Sequence, residues 1–249
     1  MIRIMVSLRI LGLLGAVQAA MALAAPIASN VSPSMEVEAQ IHVARSGTPK
    51  GSARSFAPSV VLWLSPLSPE SKTSPGAVPA PPRYRMAQKN KSFDPRLLVV
   101  PLGSTVEFPN LDPFFHNVFS QFNGKRFDLG LYEAGSTKGV RFNHEGVSYI
   151  FCNIHPEMAA VIVTLATPYF AVSSGSGDVV IHQVPVGNYE MHVWAEGVDP
   201  KNLDALTRRV SIGPSQSDLG PIRITASGIV APHKNKFDED YRPEQPPTY

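Results

Sequence analysis

Apolar and polar residues alternate from 35 to 44, with Val37, Ala39, Ile41 and Val43 on one side and Glu36, Glu38, Gln40 and His42 on the other. A period of two predicts a strand buried on one face. Residues 59–64 (Ser-Val-Val-Leu-Trp-Leu) predict a second strand. A block of short strands then runs from 87 to 165. Segments 97–101 and 104–108 flank a turn at Gly103, and 117–120, 138–142, 147–151 (after a turn at Gly146) and 160–165 follow. Beyond Thr167-Pro168, residues 178–183 and 188–195 flank the turn Val184-Pro185-Val186-Gly187, and 208–212 and 221–225 complete the set. Long helical periods are few, and short strands spaced by turn residues predict an all-β protein packed as β-sandwiches. The 24 prolines and 18 glycines suit that reading.

The breaks between strands divide the chain. Ser46-Gly47-Thr48-Pro49 and Gly51 mark a turn-rich piece, and six prolines fall between 65 and 85. Residues 68–86 therefore read as a connector. The tail, 227–249, has no apolar period and reads as flexible or lying flat on the surface.

Residues 1–25 read as a secretory signal: Arg3 and Arg9 come first, 10–17 is an apolar core, and Ala22-Leu23-Ala24 supplies the small-x-small pattern cut by a signal peptidase. The alternative is a membrane anchor, but Gln18 breaks the run short of the about 20 apolar residues that span a bilayer. The mature chain is then expected in the periplasm, with no transmembrane span. The net charge of +2 falls to zero without Arg3 and Arg9, leaving 20 Lys+Arg against 20 Asp+Glu. That balance argues against nucleic acid as a partner, because phosphate backbones demand a dense cationic footprint.

Export sharpens the chemistry of one stretch, Ile-Phe-Cys-Asn-Ile-His-Pro-Glu-Met-Ala-Ala (150–160), which carries Cys152, His155 and Met158 at three-residue steps. Cys152 is the only cysteine, so no disulfide within the chain can protect it in an oxidising compartment. Upstream, His116 sits between Phe114-Phe115 and Asn117-Val118. His116 precedes one predicted strand, Cys152 follows another, and Met158 precedes the closing strand, so three strand ends can converge. Two imidazoles, a thiolate and a weak axial thioether form the trigonal His2Cys-plus-Met set that suits copper. Zinc favours more thiolates or carboxylates in a tetrahedron. The bland alternative makes Cys152 a small buried hydrophobe, Met158 core filler and both histidines satisfied surface groups. A Cys–His nucleophile is conceivable, but nothing nearby suggests an oxyanion hole or a substrate cleft.

Residues 88–165 resemble the cupredoxins, the blue-copper family that includes plastocyanin and amicyanin. The resemblance is carried by Pro-Leu-Gly-Ser-Thr-Val-Glu-Phe-Pro-Asn (101–110), His116-Asn117-Val118 and Cys152-x2-His155-x2-Met158, and it covers about a third of the chain. The short step from His155 to Met158, with Pro156 between, is more like amicyanin than plastocyanin. Asp112-Pro113 and Phe127-Asp128-Leu129-Gly130 are similar to a bacterial subgroup labelled methylamine-utilisation-like or plastocyanin-like. The resemblance implies a Greek-key β-sandwich over 87–167. It also implies one type 1 copper ion, Asn117 pinning the two ligand loops together, and single-electron transfer to redox protein partners rather than catalysis. Separately, Val-Pro-Val-Gly-Asn-Tyr-Glu-Met-His-Val-Trp (184–194) resembles the hairpin of carboxypeptidase-regulatory-like domains. It implies a second, smaller Ig/transthyretin-like β-sandwich made of 35–67 and 168–226, with the copper block inserted in it. Unpaired strand edges in either piece alone favour that discontinuous arrangement.

The competing functional reading is a copper-binding structural or interaction protein of the cell envelope, whose flanking sandwich binds a partner or a glycan. A third is a subunit of an enzyme whose catalytic centre lies in another chain. His42, His144, His182, His192 and His233 are expected to be solvent-facing or locally bonded. Trp63 and Trp194 are expected in the flanking core and Glu157 in solvent; Phe114 and Phe115 read as core, at least one of them, or as part of an apolar docking rim around His155.

Overall fold

The computed structural model describes residues 33–45, 59–68, 83–121, 124–226 and 233–241. The segment read as a signal, the turn-rich piece around 46–51 and most of the proline-rich connector lie outside these. Among the described residues no helix is long and apolar enough to cross a membrane.

Two sheets enclose the half that holds His116 and Cys152. One has five strands in the order Leu97–Pro101, Ala159–Leu165, Gly146–Phe151, His116–Ser120, Phe127–Tyr132; the other orders Thr137–Arg141, Thr105–Pro109, Arg83–Arg85. Between them lie Phe108, Val118, Phe142, Ile150 and Ile162, all fully buried, together with Cys152 and Met158. Aromatic rings fill the widest part, with Phe127 set edge-on against Phe142 at 6.0 Å between centroids. The strand ending at Pro101 turns at Gly103, whose φ of +89° is one that only glycine adopts freely. The Gly103 amide then donates to Phe142 O at 2.7 Å, tying the two sheets at that end.

The other half draws its strands from both ends of the sequence. Ser34–Arg45 lies between Asp178–Pro185, antiparallel to it, and Asp218–Ala226, parallel to it. Val60–Pro66 pairs antiparallel with Phe170–Val172 and with Gly187–Ala195, which also pairs with Arg208–Ile212. Val37, Ala39 and Ile41 point inward, as their alternation requires. Trp194 is buried there, whereas Trp63 is half-buried and stacks on His192 at 5.2 Å. A single helical turn, Pro200–Asp204, is capped by Asp199, whose carboxylate accepts from Lys201 N at 2.8 Å.

Strand Ala159–Leu165 joins the halves. From Ala160 to Leu165 every residue is buried, which sequence alternation does not anticipate. Ala160 and Ile162 face the core that holds Cys152, while Val161, Val163 and Leu165 face the flanking core together with Val99. One strand therefore serves two cores. Arg96 and Glu196 add an ion pair at 2.7 Å between the halves, and the Thr167 hydroxyl donates to Leu64 O at 2.7 Å.

Two sequence expectations differ from what is seen, and a third is narrowed. Arg83–Arg85, assigned to the connector, forms a parallel edge strand against Thr105–Pro109, and Met86 beside it is fully buried. That strand owes its existence to its partner rather than to any period of its own. Phe114 and Phe115 are both exposed, at 38% and 56%, instead of one entering the core. Their loop stands outside the sheets, where neither ring has a layer to enter. Residues 233–241, in the tail read as flexible or lying flat on the surface, take the second form and lie against the half that holds Cys152 through polar and ring contacts.

Because one strand closes both cores, the halves are expected to unfold together. Emission from Trp63 and Trp194 reports on one core and the reactivity of Cys152 on the other, so a urea titration of the metal-free protein should give a single shared midpoint. Ile162→Ala should lower stability by about 2–5 kcal/mol and move both probes equally. Two separated midpoints would contradict the shared core.

Candidate metal centre

The site is built at one end of the five-stranded sheet. His116 opens the strand His116–Ser120, Cys152 follows Gly146–Phe151, and His155 lies on the short return to Ala159–Leu165. That return is closed by its own backbone. Met158 N donates to His155 O at 3.1 Å, and Cys152 N donates to Met158 O at 3.3 Å. His116 and Cys152 have no solvent exposure, Met158 has none, and His155 has 8%.

Three donor atoms meet. His116 Nδ1 lies 3.1 Å from His155 Nδ1, and Cys152 Sγ lies 3.8 Å from the first and 3.6 Å from the second. A triangle with those edges has a point about 2 Å from every corner, the length of a metal–imidazole bond. The donor set fits copper on its chemistry as well, since a soft thiolate and two imidazoles are the in-plane ligands that metal favours. Among the described residues this is the cluster of histidine, cysteine and carboxylate groups able to hold a metal ion. Met158 shares the core with Cys152, and its main chain brackets the ligand loop.

The tautomer of His116 is set by a carboxylate that the sequence reading did not single out as part of the site. His116 Nε2 lies 2.8 Å from Asp112 Oδ2, so the Nε2 proton is donated there and Nδ1 is left bare toward the cluster. Asp112 is itself fixed, accepting from Asn90 N at 2.6 Å and Lys91 N at 2.9 Å. Burial alone would raise its pKa, but the hydrogen bonds from Lys91, His116 and Asn90 hold the carboxyl below the usual range. The loop between is organised by buried Asn110, whose side chain donates to Phe114 O at 2.8 Å and accepts from Asp112 N at 3.1 Å. The sequence signals for Asp112 were its place four residues before His116 and the Asp112-Pro113 pair of the subgroup resemblance.

Asn117 links the two ligand-bearing segments. Its Oδ1 accepts from Asn153 N at 3.3 Å, and its Nδ2 donates to Asp128 Oδ1 at 2.7 Å. Burial pushes the Cys152 thiol up, while backbone amides of Asn117, Ile154 and His155 aimed at the sulfur work in the opposite direction. A thiol in that position becomes a thiolate readily only when a cation compensates its charge.

Of the remaining histidines, His42 is exposed, His182 pairs with Glu36 at 2.9 Å and His144 with Asn143 at 3.0 Å. Glu157 is exposed. His233, in contrast, stacks on Phe151 next to Cys152, with 4.0 Å between ring centroids.

No protein-family model matches the chain, and no curated protein is recognisably similar to it. Among solved structures it is similar to a purple cupredoxin from Nitrosopumilus maritimus at 23% identity, covering 33% of this chain and 99% of that one with a TM-score of 0.30. It is also similar to amicyanin from Paracoccus versutus, at 22% identity over 36% of this chain and 86% of that one, with a TM-score of 0.29. A copper-containing nitrite reductase from Thermus scotoductus shares 21% identity over 49% of this chain and 28% of its own length, with a TM-score of 0.34. Two sheets closed over one core, with a His–Cys–His cluster at the end of the five-stranded sheet, make a cupredoxin-like fold.

Proposed function

We propose that this chain is an exported type 1 copper protein that carries single electrons between redox protein partners, with copper held by His116, Cys152 and His155 and by Met158 as the axial ligand. The observation that carries the reading is the inward-facing triangle of two imidazole nitrogens and one thiol, with the His116 tautomer locked by Asp112. Copper, when bound, supplies a one-electron couple. The chain's own residues supply the rest. Asp112 holds a proton on His116 Nε2 and keeps Nδ1 available, the closed return from Cys152 to Met158 limits movement of three donors, and the surrounding core excludes water.

Electron exchange needs one ligand near the surface and a face on which a partner can settle. His155 is that ligand, the most exposed of the four. Phe114 lies 5.7 Å from its ring, and Leu111, Phe115 and Ile154 are exposed on the same loops. An apolar rim around a ligand edge suits brief docking without strong charge pairing, which agrees with the even balance of 20 Lys+Arg and 20 Asp+Glu once Arg3 and Arg9 are set aside. Periplasmic placement is supported by the N-terminal pattern and by the single cysteine. We assign no catalytic residue. The flanking sandwich fits a carboxypeptidase-regulatory-like module through its 184–194 hairpin, and its packing on Ala159–Leu165 gives it the part of a rigid base for the copper block.

Loading with copper(II) should produce one equivalent of bound metal and an intense visible thiolate-to-copper absorption, and Cys152→Ser should abolish that band; a band retained in the serine variant would refute the assignment. Replacing Met158 by Gln should keep the copper and lower the reduction potential, and an unchanged potential would remove Met158 from the ligand set. Asp112→Asn should weaken copper affinity by about 10- to 100-fold. It should also raise the reduction potential, because a neutral amide makes His116 a poorer donor to the oxidised metal. Titration against a competing chelator and voltammetry read the two effects separately.

A further inference from the structure

The segment 233–241 touches three consecutive residues, Phe151, Cys152 and Asn153, where the strand Gly146–Phe151 runs into the metal loop. The Tyr241 hydroxyl donates to Cys152 O at 2.7 Å. His233 stacks on Phe151, and its ring stands edge-on to Tyr241 at 5.3 Å. Lys236 N donates to Asn153 Oδ1 at 2.9 Å. The same lysine reaches Asp128 with its ammonium group at 2.8 Å, and its carbonyl accepts from Gln121 Nε2. Asp128 in turn accepts from Asn117, the residue that latches Asn153 N. The segment is shaped for this by Asn235, whose Oδ1 accepts from Phe237 N at 2.9 Å and Glu239 N at 3.0 Å in a tight local turn.

We propose that residues 233–241 form a strap that completes the metal centre, with Tyr241 and Lys236 as positioning residues that hold the Cys152–Asn153 backbone in its metal-binding geometry. The inference rests on the copper reading above. Its warrant is where the contacts fall. A strap that merely tidied a chain end could lie on any strand, yet this one ends on the main-chain carbonyl of the cysteine ligand and on the side chain of the next residue. The carbonyl of Cys152 is one torsion away from the Cα that aims Sγ, so a hydrogen bond there restrains the thiol's direction. On the other side, the chain Lys236–Asp128–Asn117–Asn153 ties the strap to the residue beside His116. Both ligand-bearing segments are thereby braced from one piece of polypeptide, and ordering that piece costs backbone entropy that its contacts must offset.

The test uses the full-length protein with Tyr241→Phe, which removes one donor and keeps the ring, and separately Lys236→Met, which removes the ammonium and keeps the backbone amide. In the metal-free proteins, alkylation of fully buried Cys152 should be faster by about fivefold, the loss of one ordinary hydrogen bond. In the copper-loaded proteins, the thiolate absorption should shift and copper should leave to a chelator faster. Wild-type alkylation, spectrum and copper release in both variants would overturn the proposal, as would a lowered melting temperature with those three unchanged, which marks a purely structural contact. Should Tyr241→Phe fail to fold, Lys236→Met decides by the same readings. A wild-type protein that takes no copper would sink the copper reading, and the alkylation rates would still judge the strap.

Discussion

A thiol and two imidazoles facing one another in a dry interior form an arrangement that folding does not favour by itself. Their lone pairs converge within 3.1 to 3.8 Å, where water is excluded and a bare polar group is costly to bury. Something must hold them there. Around the site, polar groups are placed to do so: Asp112 on His116, Asn117 between the two ligand segments, and the closed backbone return from Cys152 to Met158. Each restrains an atom or a torsion that sets where a donor points, and each is anchored by a further bond. This layering lets so small a loop keep its donors in one geometry.

The rest of the fold serves that restraint at longer range. Strand Ala159–Leu165 begins just after Met158 and is buried on both faces, so the ligand loop is rooted in a strand that neither core can release alone. The flanking sandwich, assembled from strands at both ends of the sequence, thickens the base beneath the copper block. Close packing on both sides transmits little slack. At the site itself His155 keeps 8% exposure, beside exposed Phe114 and Ile154.

Much of this was legible in the sequence, for physical reasons that differ between elements. Strands with one buried face announce themselves by alternation, as Ser34–Arg45 does. Cys152, His155 and Met158 were visible because three donors share one loop, and the lone cysteine of a chain read as exported asks for an explanation. His116 lay 36 residues upstream and was reachable only through its His-Asn pair and the cupredoxin resemblance. The double duty of Ala159–Leu165 was hidden, since a strand buried on both faces shows an apolar run that does not say which core takes which residue. Arg83–Arg85 and Phe170–Val172 are edge strands specified by their partners. The segment 233–241 was illegible for a different reason: its attachment is made by a tyrosine hydroxyl, a lysine and an imidazole stack, none of which leaves a period. Asp112 was named only through its pairing with Pro113, and its hold on His116 is plain only from their distance.

The central claim is that Cys152, His116 and His155 together bind one copper ion through sulfur and two nitrogens. X-ray absorption at the copper edge of the loaded wild-type protein addresses it most directly, because it counts the scatterers around the metal. The account predicts one short sulfur and two imidazole nitrogens in both oxidation states, with little change between them. A shell of nitrogen and oxygen alone, or a coordination number that changes on reduction, would contradict it.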